Sequence, residues 1–283
     1  MPLNIPGTLV PFQLLFNPRV ALPNLVVKDI RHLDFAALKK AGYQGAVFDK
    51  DNCLTLPHRD ELVPELQASG SHATCRKIPK VYPQEAWDDC RKTFGDANVL
   101  IVSNSAGTKS DTGGVQAESV QRHLKAPVLF HSTVKPGYAC IRGIQRYFGS
   151  LRTPIQAEQL IVVGDRIFTD VVMANRMRHL QGSGTSFLQM CLQCAFERGG
   201  TVGKERSSDT TPHRSIDGGP LAVWTTGVWQ REATVMRWCE RKLVEWIGRR
   251  LPSENAENML PFIKSLPVPP PPPKRSWMFW RKP

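Results

Sequence analysis

Two aspartates one residue apart, in Asp49-Lys50-Asp51, follow directly on the apolar run Ala46-Val47-Phe48. A buried strand ending in carboxylates puts them at the carboxyl edge of an α/β sheet, where open parallel sheets form their ligand crevice. There Asp49 can accept a phosphoryl group as nucleophile, while Asp51 can protonate the leaving oxygen and then activate water. Three more apolar runs end in complementary groups. Val99-Leu100-Ile101-Val102 passes into Ser103-Asn104-Ser105, where Ser103, with Asn104 beside it, is placed to hold a phosphate oxygen. Val128-Leu129-Phe130 leads to Ser132-Thr133-Val134-Lys135-Pro136, and a lysine there can neutralise charge on a phospho-aspartate and its transition state. Leu160-Ile161-Val162-Val163 ends in Gly164-Asp165-Arg166, with Thr169-Asp170 just beyond. Carboxylate oxygens beside Asp49 are hard ligands suited to Mg2+, with Asp165 as the candidate ligand. Asp170 can bind the ion through water or orient Lys135.

Each of these features alone has a plainer reading. An Asp-x-Asp pair is common on solvated surfaces, Ser105 and Asp170 suit helix capping, and a lysine before proline is usually solvated. Their joint occurrence, in order and each at a predicted strand end, points instead to one phosphoryl-transfer site.

The elements that must position them follow from the same pattern. Continuous apolar runs, with a fifth at Leu221-Ala222-Val223-Trp224, read as parallel strands covered on both faces. Helical periodicity lies between them over 84–94, 115–124 and 138–148. The alternation predicts an α/β fold, a Rossmann-like doubly wound parallel sheet with little or no cap domain. Residues 1–40 are expected to form an N-terminal arm, 41–250 the catalytic domain and 251–283 a tail. The last long helix, about 229–250, is expected to cover the core with Met236, Cys239, Leu243, Trp246 and Ile247, with lipid contact as the alternative for its aromatics. Residues 67–82 and 180–219 interrupt the alternation with Gly, Ser, Thr and charges and read as irregular inserts. Pro269 to Pro273 precede a basic, aromatic end that is expected to be extended.

Composition narrows the function classes. The chain has 283 residues, 41% hydrophobic and 22% charged, which fits a globular domain. Its formal net charge of +12 favours acidic partners: phosphate esters, anionic lipid or nucleic acid. No nucleic-acid-binding module is recognisable, so none is expected as partner, and the oligomeric state has no signature. No stretch of 18 apolar residues occurs, so membrane contact is expected to be peripheral. Cys191 and Cys194 form one CxxC without a second pair, too few ligands for structural zinc.

FDKDNCLT at 48–55, VSNS at 102–105, VKPG at 134–137 and GDRIFTD at 164–170 resemble the four motifs of the haloacid dehalogenase phosphatase superfamily. The resemblance implies Mg2+ and an aspartyl-phosphate, with Asp49 as nucleophile, Asp51 as acid/base, Ser103 on the phosphate, Lys135 as the cation, Asp165 as metal ligand and the backbone carbonyl of Asp51 as a further ligand. More specifically, FDKDNCLTLPH, NVLIVSNSAGT, GDRIFTDVVMANRM and LAVWTTGVW are similar to mitochondrial phosphatidylglycerophosphate phosphatases. That likeness implies a phospholipid phosphomonoester as substrate, a place in cardiolipin synthesis, and a peripheral position on the anionic, matrix-side surface of the mitochondrial inner membrane. Residues 67–82 and 180–219 separate stretches that are continuous in that family. Alternative readings are a phosphatase for a soluble ester and a catalytically impaired binding protein.

Overall fold

The computed structural model describes residues 10–66, 86–180, 218–251 and 257–265. Nearly all of both predicted inserts and the proline-rich tail lie outside the described residues. Along the chain run α1 (Val10–Phe16), β1 (Leu25–Val27), α2 (Phe35–Lys40), β2 (Gly45–Phe48), α3 (Ala86–Phe94), β3 (Val99–Ile101), α4 (Val115–Leu124), α5 (Tyr138–Gly149), β4 (Leu160–Gly164), α6 (Val172–Leu180), β5 (Leu221–Thr225) and α7 (Thr234–Arg250). The five strands form one parallel sheet in the order β1-β5-β4-β2-β3.

Every residue of β2, β3, β4 and β5 is buried, because helices cover both faces of the sheet. Successive strand residues alternate between two cores. Phe48, Ile101 and Val163 pack on one side with Trp87 and Phe94 of α3, while Val47, Leu100 and Val162 pack on the other with Ile141, Ile144 and Phe148 of α5. Fully burying a side chain such as Phe48 or Leu100 contributes about 2 kcal/mol, so these two layers fix the strand register. The chain leaves β2 toward β3 on one side, and β4 returns to pair on the other. This is the switch point at which α/β sheets open a crevice.

Helix ends follow local chemistry. Gly95, at φ 96°, ends α3 in a conformation that glycine adopts without strain. The Asp111 carboxylate caps α4 by accepting from the backbone N–H of Gln116 at 2.9 Å and Ala117 at 2.8 Å.

Two expectations are corrected and one strand is added. Val128-Leu129-Phe130 is not a strand: Val128 makes a single parallel bridge to Ile101. The neighbouring Pro127 offers only its carbonyl, to Ile101 N at 2.9 Å, and has no N–H with which to extend the ladder. Residues 25–27 supply an edge strand that pairs with β5, anchored where the Asn175 amide donates to the Val20 carbonyl at 2.8 Å and the Leu22 carbonyl at 3.0 Å. Helix α7 does cover the core, with Leu243 and Ile247 as expected, but the rest of the expected face is turned outward. Glu240 and Ile247 are buried, whereas Met236, Cys239 and Trp246 are exposed. Glu240 accepts from the backbone N–H of Phe168 at 3.3 Å and pairs with Arg166, and these ties set the rotation of the helix.

Candidate active site

Asp49 is the first residue past β2, and its N–H still bonds to the Val163 carbonyl at 2.9 Å, so the ladder itself holds the backbone of the nucleophile candidate. Its carboxylate Oδ1 accepts from the fully buried Lys135 ammonium, which also donates to Asp170 Oδ1 at 2.7 Å. Asp49, Asp165 and Asp170 each bring a buried oxygen within 4.8 Å of the others. The loops after β2, after the Val128 bridge and after β4 therefore converge as their order predicts.

The other oxygen of Asp170, Oδ2, accepts from Arg166 N at 3.2 Å and Thr169 Oγ1 at 3.2 Å, so this side chain is pinned before it meets Lys135. A Cβ on Gly164 would fall 2.3 Å from Asp170 Cγ; only a glycine at the end of β4 lets that carboxylate into the site. Asp51 points elsewhere. Its Oδ2 accepts from Ser105 Oγ at 3.1 Å and Ser103 Oγ at 3.4 Å, and its Oδ1 from His58 N at 3.1 Å. The acid/base candidate and the candidate phosphate-binding hydroxyl are thus brought together, and the Asp51 carboxylate stands apart from the three-carboxylate group. Asn104 spends its amide oxygen on Lys135 N, at 2.7 Å, joining the loop after β3 to the loop that carries the lysine.

Burial is the largest influence on the Asp49 carboxyl and pushes its pKa well up, and the Asp170 and Asp165 charges add to this against the opposing pull of Lys135. Burial and Asp170 likewise raise Asp165, opposed by Arg237. For Lys135, burial alone would lower the pKa, but the Asp170 and Asp49 carboxylates more than offset it and hold the ammonium charged. Three carboxylates therefore face two cations, Lys135 and Arg237, leaving one formal negative charge before any phosphate enters. An oxygen-rich, buried, net-negative site of this kind fits a hard divalent cation.

Several contributors were not assigned a role from the sequence, although some, such as Arg176, Trp224 and Trp229, lie in the family-like stretches. Arg237, reaching in from α7, pairs with Asp165 Oδ2, and Trp224 Nε1 holds the Asp165 carbonyl at 3.1 Å. Arg176 of α6 donates to the Pro136 carbonyl at 2.8 Å and to Gln13 of α1, bracing the lysine loop. The His131 ring lies between the carbonyls of Ser103, at 2.9 Å, and Thr133, at 2.6 Å. Gln230 N bonds to Asn52 Oδ1 at 2.9 Å and Trp229 Nε1 to the Cys53 carbonyl at 3.2 Å, which ties the segment after β5 to the nucleophile loop. The one sequence cue for Lys50 was its place between two strand-end aspartates.

Residues 5–183 match the family model described as Mitochondrial PGP phosphatase, PGP being phosphatidylglycerophosphate, and that span includes every predicted site residue. The chain belongs to the mitochondrial PGP phosphatase family. Among relatives, it is 37% identical over 175 residues to the mitochondrial phosphatidylglycerophosphatase GEP4 of Saccharomyces cerevisiae, covering 62% of this chain and 83% of that protein. It is 41% identical over 161 residues to the chloroplastic phosphatidylglycerophosphate phosphatase 1 of Chlamydomonas reinhardtii, covering 56% of this chain but about half, 51%, of that protein. A probable mitochondrial phosphatidylglycerophosphatase of Schizosaccharomyces pombe is 28% identical over 186 residues, covering 62% of this chain and 80% of that protein. No solved structure matches the chain. Strand β5 and helix α7, with Arg237, lie beyond the residues matched to the PGP phosphatase family.

Proposed function

We propose that the protein hydrolyses the phosphomonoester of phosphatidylglycerophosphate, releasing phosphatidylglycerol and phosphate through an aspartyl-phosphate on Asp49, as a step toward cardiolipin. The observation that carries this reading is the Asp49–Lys135–Asp170 cluster at the switch point of the sheet, inside the residues matched to the family.

In this reading an Asp49 oxygen bonds to phosphorus as the bond to the alkyl leaving oxygen breaks. Asp51 delivers its proton to that oxygen, and Ser103 and Lys135 hold the phosphoryl oxygens. Water then attacks phosphorus, its proton passes to Asp51, and Asp49 is released as carboxylate. Asp49, Asp165 and Asp170, with the Asp51 backbone carbonyl, would hold Mg2+, which supplies neutralising charge to the phosphoryl oxygens.

A lipid substrate at a bilayer requires the enzyme to meet that surface, on the matrix side of the mitochondrial inner membrane. The outward face of α7 supports contact with a bilayer: Val235, Trp238 and Trp246 are 75%, 62% and 51% exposed. They share that face with Lys242 and Arg249, and Arg250 stacks on Trp246 at 4.6 Å. Exposed tryptophan among basic side chains suits the interface of an anionic bilayer. No described helix is long and apolar enough to cross a membrane.

The test compares phosphate release from phosphatidylglycerophosphate in mixed micelles with release from soluble phosphomonoesters, with Mg2+ and after its removal by chelation. The proposal expects Mg2+-dependent release that favours the lipid. Failure to release phosphate from the lipid, or equal rates without Mg2+, would overturn it.

A further inference from the structure

Lys50 lies between Asp49 and Asp51, and its side chain is completely buried although it faces neither Asp49 nor the three-carboxylate group. A buried ammonium needs compensating partners, and the fold supplies a carbonyl and two carboxylates, one close and one at longer range. Lys50 Nζ donates to the Arg59 carbonyl at 2.9 Å, lies 2.8 Å from Asp51 Oδ1, and has Asp60 Oδ1 at 3.8 Å. The same Asp51 oxygen also accepts from His58 N. The two oxygens of Asp51 are therefore unlike. Oδ1 faces a fixed cation and a backbone donor, so a proton placed there would point at positive charge. Oδ2 faces only the hydroxyls of Ser103 and Ser105, which can rotate to accept as well as donate, and which border the place proposed for phosphate.

We infer that Lys50 is a positioning residue for the reaction proposed above: it confines the transferable proton of Asp51 to Oδ2 and holds that oxygen toward the leaving group. The inference rests on Asp51 being the general acid. In the first step the proton moves from Asp51 Oδ2 to the departing alkoxide as the phosphorus–oxygen bond breaks, and Asp51 remains a carboxylate paired with Lys50. The Arg59 carbonyl, with Asp60 at longer range, holds the ammonium in place.

The effect is separable from simple structural support because it depends on the leaving group. An alkoxide needs the proton, whereas p-nitrophenolate leaves without one. The ratio kcat/KM reports only the steps through departure of the leaving group and is blind to later hydrolysis of the phospho-aspartate. For Lys50→Met, kcat/KM toward phosphatidylglycerophosphate in micelles should fall about 100-fold while that toward p-nitrophenyl phosphate changes by less than about threefold. Asp51→Asn should lose activity on both esters, and more on the lipid, and Lys50→Arg should recover part of the loss seen in Lys50→Met. Lys50→Met leaves Asp60 without its cation, so Lys50→Met/Asp60→Asn is measured alongside, with thermal unfolding as the check on folding. Equal losses on both esters, or an undiminished rate on the lipid, would overturn the role of Lys50. A wild type that hydrolyses neither ester would instead sink the functional reading on which it rests.

Discussion

The strand-end loops and helix α7 both bring charge to Asp165 and its neighbours, but they do so by different physics. Asp49, Ser103 and Asp165 are delivered by strand ends, so parallel pairing and the switch point fix where they go, and the loop that carries Lys135 is tied to the same edge by the Val128–Ile101 bridge. Arg237 and Glu240 are delivered by a helix that could pack at several rotations. Their side chains choose the rotation through Asp165, Arg166 and Phe168 N. The difference teaches that chemistry attached to topology is robust to the surrounding sequence, whereas chemistry attached to helix rotation is decided by a few buried polar contacts.

The sharpest way to break the strand-end account is at Gly164. A Cβ there meets Asp170 Cγ at 2.3 Å, so Gly164→Ala must displace the residue that orients Lys135. A shift of about 1 Å in such a group costs about 100-fold in rate, to be read as kcat/KM for the lipid ester; an unaffected rate would show that Asp170 does not set the lysine. Arg237→Ala tests the helix contribution. It removes the cation from the buried Asp165, and we expect Mg2+ affinity to weaken about tenfold, measured by titrating the rate with Mg2+. The opposite face of α7 should behave independently. Trp238→Ser combined with Trp246→Ser should weaken binding to phosphatidylglycerol-containing vesicles by about tenfold or more, read by co-sedimentation. Hydrolysis of a soluble ester should be unchanged by that pair, and a parallel loss of both would merge the two faces into one function.

The smallest effect concerns stability. The folded-state pKa of Asp49 is raised above the ordinary 3.8, so its contribution favours the fold at acid pH and is lost as pH rises from about that value through the raised one. At neutral pH, without metal, the charged form opposes folding. Asp49→Asn should therefore melt about 3 °C higher than wild type in chelator at pH 7, with the gap closing on acidification and on adding Mg2+ to wild type. A melting difference that is independent of pH would contradict this.

The legibility of the molecule follows the same division. Strands β2 to β5 were visible because burial on both faces demands unbroken apolar runs, and α5 because Cys140, Ile144 and Phe148 repeat every four residues, while α3 was marked by Pro83 and Gly95 and α4 by Val120 and Leu124. Asp49, Asp51, Ser103 and Asp165 were visible because they sit at the ends of those strands, and Lys135 because it follows an apolar run, although that run forms only one bridge. Strand β1 was not, since three residues behind Pro23 carry no periodicity and are held by Asn175 far along the chain. The face of α7 was legible at Leu243 and Ile247 but not at Met236, Cys239 and Trp246, because the packing also turns on Glu240 and Arg237, which hydropathy assigns to solvent. Lys50 was legible as a residue type but not as a role, because its partners Arg59 and Asp60 come from a turn with no motif of its own.

The central claim is that phosphate passes through a covalent bond to Asp49. Rapid acid quench of the enzyme turning over phosphatidylglycerophosphate with Mg2+, followed by peptide mapping, tests it directly. The account predicts a phosphoryl group on Asp49 of the wild type that is absent from Asp49→Asn, together with loss of turnover in the variant. Turnover with no label, or with label at another residue, would contradict it.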